Sequence, residues 1–170
     1  ENLAMITDSI KFLKAGGQRV FLDAEHFFDG YLSNKAYALE VVRAATEAGA
    51  DVVALCDTNG GMLPDQLSNI VHEVLTASKS RLGIHCHNDT GCAVANSLAA
   101  ISAGVTHVQG TLNGYGERTG NADLVNIIAN LELKKEQTVL PAGKLQEAFR
   151  ISHAVAEITN VAPSARQPYV

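Results

Sequence analysis

Between Val52 and Cys56 the chain runs Val-Val-Ala-Leu-Cys, apolar on both alternating sets of side chains. A strand turns successive side chains to opposite faces, so a strand with no polar face needs cover on both sides. That is the situation of a parallel sheet flanked by helices. The rest of the chain supplies the flanking helices in alternation. Helix-periodic runs are predicted at about Asn2 to Ala15, Asn34 to Ala48 (closed by Gly49), Pro64 to Thr76, and Gly91 to Ala103 (closed by Gly104). Strands are predicted at Arg19 to Asp23, Asp51 to Cys56, Arg81 to His85 and His107 to Thr111, one between each pair of helices. Two further helices are expected at about Ala122 to Leu133 and Pro141 to Thr159, and Pro163, Arg166 and Pro168 mark the last ten residues as a linker-like exit.

This is βα repetition and an α/β fold. Four strands with their helices are half of an eight-stranded barrel, which needs about 250 residues, against 170 here. A helix with no strand before it also reads as the start of a part of a larger barrel. The competing arrangement is a small doubly wound sheet, which the pattern alone allows.

Composition narrows the function. The chain is 46% hydrophobic with a formal charge of −5, enough apolar content for a core and no basic excess to attract nucleic acid. No run is long enough to span a bilayer, and Glu1, Asn2 and Leu3 do not open a signal peptide. A cytoplasmic protein with no membrane partner is expected. Cys56, Cys86 and Cys92 form an odd set with no zinc-ribbon spacing, as reduced thiols would.

Chemistry concentrates where strands end. In His85-Cys86-His87 the two imidazoles are spaced i, i+2 and therefore share a side. That arrangement can chelate one metal ion, although a lone histidine is more often a packed or surface residue. Cys86 faces the other way and reads as a core filler. Asp89 or Asn88 is placed to accept an imidazole N–H, with helix N-capping the alternative for Asp89. About 30 residues on, the run from Asn113 to Asn121 (Asn-Gly-Tyr-Gly-Glu-Arg-Thr-Gly-Asn) is a second polar loop. Asn121 offers either a carbonyl oxygen to the same ion or an N-cap to the next helix. Mixed nitrogen and oxygen donors suit a borderline divalent ion such as zinc, manganese or cobalt. The glycines of that loop lack the spacing of a dinucleotide fingerprint, and Arg118 beside Glu117 reads as an ion pair bracing it. Asp23 and Glu25 share one side if the first strand stays extended, and either then serves as a general base. Asp57-Thr58 ends the second strand, with a hydroxyl able to hold a carboxylate or, in the plainer reading, a turn and a cap.

The segments Gly83-Ile84-His85-Cys86-His87-Asn88-Asp89-Thr90-Gly91 and Gln109-Gly110-Thr111-Leu112-Asn113-Gly114-Tyr115-Gly116-Glu117-Arg118-Thr119-Gly120-Asn121-Ala122 resemble the family of 2-isopropylmalate, homocitrate and citramalate synthases. These are metal-dependent Claisen-condensing barrels related to HMG-CoA lyase. Asp23 to Tyr31 and Leu55 to Gly61 look most like the citramalate synthase branch. The resemblance implies the C-terminal half (about strands 5–8) of a (β/α)8 TIM barrel. Residues 1–140 would belong to that half, and residues 141–170 to a closing helix and the start of a linker. It implies His85, His87 and Asn121 as ligands of a divalent metal (Mn, Zn, Mg or Co), Thr58 on the substrate carboxylate and Glu25 as catalytic glutamate. An aspartate ligand and its neighbouring arginine, from an Asp-Arg-Glu type motif on the first strand, are not among these residues, nor is the histidine that often assists from beyond the barrel.

The implied reaction condenses acetyl-CoA with pyruvate to give citramalate, a step toward branched-chain amino acids, in a full-length protein expected to be a homodimer. A 2-isopropylmalate synthase acting on 2-oxoisovalerate is the runner-up. A metal-dependent aldolase or lyase on the same scaffold is the rival of different chemistry, and no cysteine of the kind such lyases place in the loop lies near Thr119. These residues alone are expected to be inactive.

Overall fold

Each predicted strand forms, and each doubly apolar stretch ends up in the sheet. The computed structural model describes residues 1–169; Val170, the last residue of the expected 141–170 exit, lies outside the described residues. The elements in chain order are α1 (Asn2–Ala15), β1 (Phe21–Ala24), α2 (Phe27–Ser33), α3 (Lys35–Ala48), β2 (Val52–Asp57), α4 (Pro64–Ser78), β3 (Leu82–Cys86), α5 (Ala93–Ala103), β4 (His107–Gln109), α6 (Leu124–Lys134) and α7 (Ala148–Thr159). All six residues of β2 are buried, as its composition requires.

The four strands pair in parallel in the order β1-β2-β3-β4. A doubly wound sheet reverses its strand order at a switch point. Here the order never reverses, so successive right-handed crossovers stack their helices on one side. The doubly wound alternative is thereby set aside.

The sheet is also strongly curled. In a flat sheet β1 and β4 would lie about 14 Å apart, more than two side chains span. Yet Gln109 Nε2 on β4 donates to Asp23 Oδ1 on β1 at 2.8 Å, and the rings of Phe21 and His107 approach to 4.9 Å between centroids. Both contacts cross the concave face over β2 and β3. Gly83 makes room for this: a Cβ there would lie 2.9 Å from His107 Cδ2, 3.1 Å from Val52 Cγ1 and 3.2 Å from Ala54 Cβ. The convex face carries Val53, Leu55, Leu82, Ile84 and Cys86 into one core with Val42, Leu67, Val71 and Ala100 of the helices.

Capping sets where the helices start. Asn34 Oδ1 accepts from Tyr37 N at 3.1 Å at the head of α3, and Gly49 closes that helix with φ of 100°. Pro64 opens α4 at a position where its missing N–H costs nothing. Two sequence expectations are corrected. The helix α2 was not expected: it is seven residues long, is entered through left-handed His26 and contains Gly30. It forms because Phe27, Phe28 and Tyr31 are all buried against the core. The helix expected from Pro141 starts instead at Ala148, because Gly143 takes φ of 76° and the intervening Lys144–Glu147 forms a 3-10 turn.

Candidate metal and substrate site

At the carboxyl end of β3, alternation puts His85 on the concave face beside Cys56 and Gln109 of the neighbouring strands. His87 follows just past the strand end and is buried. The two imidazole rings lie 5.2 Å apart between centroids. Cys86, between them, faces the core, and burial pushes its thiol and that of Cys56 far above the usual range. Neither is a nucleophile or a ligand in this state.

Asn121 is brought to His87 by the backbone. His87 and Asn121 form an isolated antiparallel bridge, flanked by Ala122 N to Cys86 O at 3.0 Å and Asn88 N to Gly120 O at 2.9 Å. The Asn121 side chain does not cap the following helix; Asp123 does, accepting from Val125 N at 3.0 Å. Asn121 Nδ2 donates to Tyr115 O at 3.2 Å, while Oδ1 is buried with no hydrogen-bond partner among the described residues. An unpartnered buried carbonyl costs about 1–3 kcal/mol and calls for an explanation. A cation between this oxygen and the imidazoles would explain it. Gly116 is needed for the same geometry, since a Cβ there would sit 1.8 Å from Asn121 Nδ2. The donor set at hand is two imidazoles and one amide oxygen; among the described residues no three His, Cys, Asp or Glu side chains gather to hold a metal. Nitrogen and oxygen donors of this kind fit a divalent transition ion.

Glu25 and Thr58 meet, although the expected route to that meeting is corrected. The strand β1 ends at Ala24, and Glu25 N turns back onto Asp23 O at 3.1 Å, so extended alternation does not carry Asp23 and Glu25 to one partner. Asp23 goes to Gln109, whereas Glu25 Oε2 accepts from Thr58 Oγ1 at 2.7 Å. Thr58 Oγ1 in turn accepts from His26 N at 2.8 Å; it caps no helix. Asp57 does build the turn, accepting from Gly61 N at 3.1 Å and Met62 N at 3.2 Å, and its burial pushes the carboxyl up against those two donors.

Arg118 joins the two halves of the site. Its Nε donates to Asp89 Oδ1 at 2.9 Å, and its Nη2 lies 2.6 Å from Thr58 O, 2.9 Å from His87 Nδ1 and 3.1 Å from Asp89 Oδ2. The pairing with Glu117 exists at 3.3 Å but is peripheral. Asp89, held below the usual carboxylate range chiefly by the Arg118 guanidinium, neither caps α5 nor serves a histidine; Asn88 Oδ1 provides the cap, accepting from Ala93 N at 3.1 Å. No sequence signal pairs Arg118 with His87 and Thr58, because the partners are far apart in the chain. The loop is anchored from behind as well: Asn113 Nδ2 donates to Ser152 O at 3.0 Å, and Tyr115 Oη to Val161 O at 2.5 Å.

Comparison with known proteins places these features in context. The HMGL-like family matches residues 1–155. An (R)-citramalate synthase of Streptomyces coelicolor is 63% identical over the whole chain, which covers 32% of that relative, and one of Sulfolobus acidocaldarius is 51% identical, with 33% of it covered. A 2-isopropylmalate synthase of Methanocaldococcus jannaschii is 37% identical over 95% of the chain and 30% of its own length. The chain thus spans about a third of the curated relatives it matches. Among solved structures, an HMG-CoA lyase of Bacillus subtilis superposes with a TM-score of 0.78 at 20% identity, covering 98% of the chain and 58% of the lyase. At that identity the likeness speaks for the fold.

Proposed function

The chain belongs to the HMGL-like family, and from that membership we propose that it is part of an acyltransferase that condenses acetyl-CoA with pyruvate to give citramalate. In this reading residues 1–140 supply strands five to eight of a (β/α)8 barrel, and residues 141–170 the closing helix and the start of a linker. The full-length enzyme is a cytoplasmic homodimer. Two features support a partial barrel: the sheet curls without closing, and β1 and β4 each have one unpaired edge among the described residues.

His85, His87 and Asn121 hold a divalent ion in this proposal, completed by a carboxylate from outside these residues. The buried, unpartnered Asn121 Oδ1 beside His87 carries this part of the reading. When bound, the ion polarises the carbonyl of the 2-oxo acid as a Lewis acid.

Thr58 holds the carboxylate of the 2-oxo acid, and Glu25 is the base that takes a proton from the acetyl methyl group. The hydrogen bond between them couples these roles. A threonine hydroxyl has one proton to donate, and in the free protein it goes to Glu25 Oε2. His26 N holds the oxygen from the other side, so the hydroxyl turns its single proton without moving far. Giving that proton to the substrate carboxylate releases Glu25 Oε2 from Thr58 and leaves that oxygen free to face the acetyl methyl group. The base is therefore freed once the acceptor substrate is seated, before a carbanion is needed.

Release of coenzyme A by the full-length protein tests the reading. Turnover with pyruvate exceeding that with 2-oxoisovalerate is the expected result. A preference for 2-oxoisovalerate assigns 2-isopropylmalate synthase chemistry instead, and cleavage of a hydroxyacyl-CoA without condensation assigns a lyase.

A further inference from the structure

Arg118 takes φ of 57°, in the left-handed region that non-glycine residues seldom occupy, and from that backbone its guanidinium reaches a proposed metal ligand. We propose that Arg118 is a built-in stand-in for the metal ion: its guanidinium and a divalent cation compete for His87, so that loading the site requires Arg118 to release that ring. The inference rests on the metal site of the proposed function.

Valence alone makes the two states exclusive. A guanidinium donates and never accepts, so the 2.9 Å contact between Arg118 Nη2 and His87 Nδ1 uses the lone pair of Nδ1. The neutral ring then carries its proton on Nε2. A metal at Nδ1 needs the lone pair that Arg118 occupies. A metal at Nε2 displaces the proton to Nδ1, which then turns an N–H toward a group that cannot accept it. Whichever nitrogen the ion takes, the Arg118 contact has to break.

The rest of the clamp makes that break local. Arg118 Nη2 has two hydrogens but faces three acceptors, namely Thr58 O at 2.6 Å, His87 Nδ1 at 2.9 Å and Asp89 Oδ2 at 3.1 Å. The bond from Nε to Asp89 Oδ1 at 2.9 Å is separate. Arg118 therefore gives up His87 while keeping Thr58 O and Asp89. In this arrangement Arg118 holds a cation's place beside the imidazole and the backbone of the substrate-holding threonine.

Calorimetry with manganese on the metal-stripped full-length protein tests this, with His87→Ala as the control for the site itself. Loss of stoichiometric binding in His87→Ala keeps the metal reading; persistence of binding there sinks that reading and this inference with it. Given a site that depends on His87, Arg118→Met is expected to tighten manganese binding about two- to tenfold, the span set by the net worth of one hydrogen bond. Removing a positive charge alone also draws in a cation, so the double variant Arg118→Met/Asp89→Asn, which leaves net charge unchanged, has to retain the gain. Unchanged or weaker binding in the double variant overturns the proposal. Nitrogen-15 NMR of the His87 ring in the metal-free wild type needs no variant: a proton on Nε2 supports the proposal, and one on Nδ1 refutes it.

Discussion

Single atoms decide the chemistry proposed for this chain. The amide of Asn121 is oriented by one hydrogen bond, from Nδ2 to Tyr115 O, and what remains is a buried oxygen with no partner among the described residues. If that oxygen is a metal ligand, Asn121→Ala in the full-length protein lowers manganese affinity at least tenfold while thermal stability of the metal-free form stays level or rises, because the unpartnered group is gone. A fall in stability with unchanged affinity would make Asn121 a packing residue. At Thr58, valine keeps the shape and removes the hydroxyl shared between His26 N and Glu25. Hydrogen bonds to charged groups carry more than neutral ones, so Thr58→Val is expected to lower kcat/KM for the 2-oxo acid about ten- to a hundredfold. Thr58→Ser should recover most of it, and equal activity in the valine variant would remove Thr58 from substrate binding.

Elements hold these atoms in place, and their ends were less legible than their middles. The unbroken apolar run behind β2 and the helical periodicity behind α3 and α4 are strong signals, and the structure follows them to within a residue or two at each end. The segment after Ala24 carries no such signal. A tight turn redirects Glu25, and α2 exists only because three aromatic rings are buried together, a tertiary effect that local propensity does not encode. The strand-end positions of His85, His87 and Glu25 were legible from spacing, whereas the contacts of Arg118 depend on partners that only folding unites. Asp51 shows how one carboxylate ties elements together. It accepts from Val20 N at 2.7 Å just before β1 and from Lys14 Nζ at 2.9 Å on α1, and chiefly the Lys14 bond holds its pKa below the usual value. A carboxyl whose folded pKa is depressed stabilises the fold above its unfolded pKa, near 3.8, and loses that contribution as pH falls through the folded pKa. The melting temperature of the wild type should therefore fall more steeply below about pH 4 than that of Asp51→Asn. Parallel acid limbs would show the carboxylate to be idle.

At the scale of the whole molecule, the concave sheet is an unfinished surface. The contacts from Asp23 to Gln109 and from Phe21 to His107 draw β1 and β4 toward each other across the face that bears His85, yet both strands keep an unpaired edge among the described residues. Unpaired parallel edges are templates for association. Expressed alone, residues 1–170 are expected to self-associate in light scattering, to bind manganese weakly and to release no coenzyme A. A monodisperse monomer with turnover would show that these residues contain a complete site. The four strands and most of the flanking helices follow from the βα alternation of the sequence, but the strand order, α2 and the curl do not: the curl depends on the glycine at 83 and on inward side chains that meet only after the sheet forms.

The account stands on His85, His87 and Asn121 sharing one ion. Anomalous diffraction from crystals of the full-length protein soaked in manganese tests this directly. The expected result is a single strong peak within about 2.0–2.3 Å of one nitrogen from each imidazole and of Asn121 Oδ1. A peak bound elsewhere, or one that leaves any of the three outside coordination distance, would contradict it.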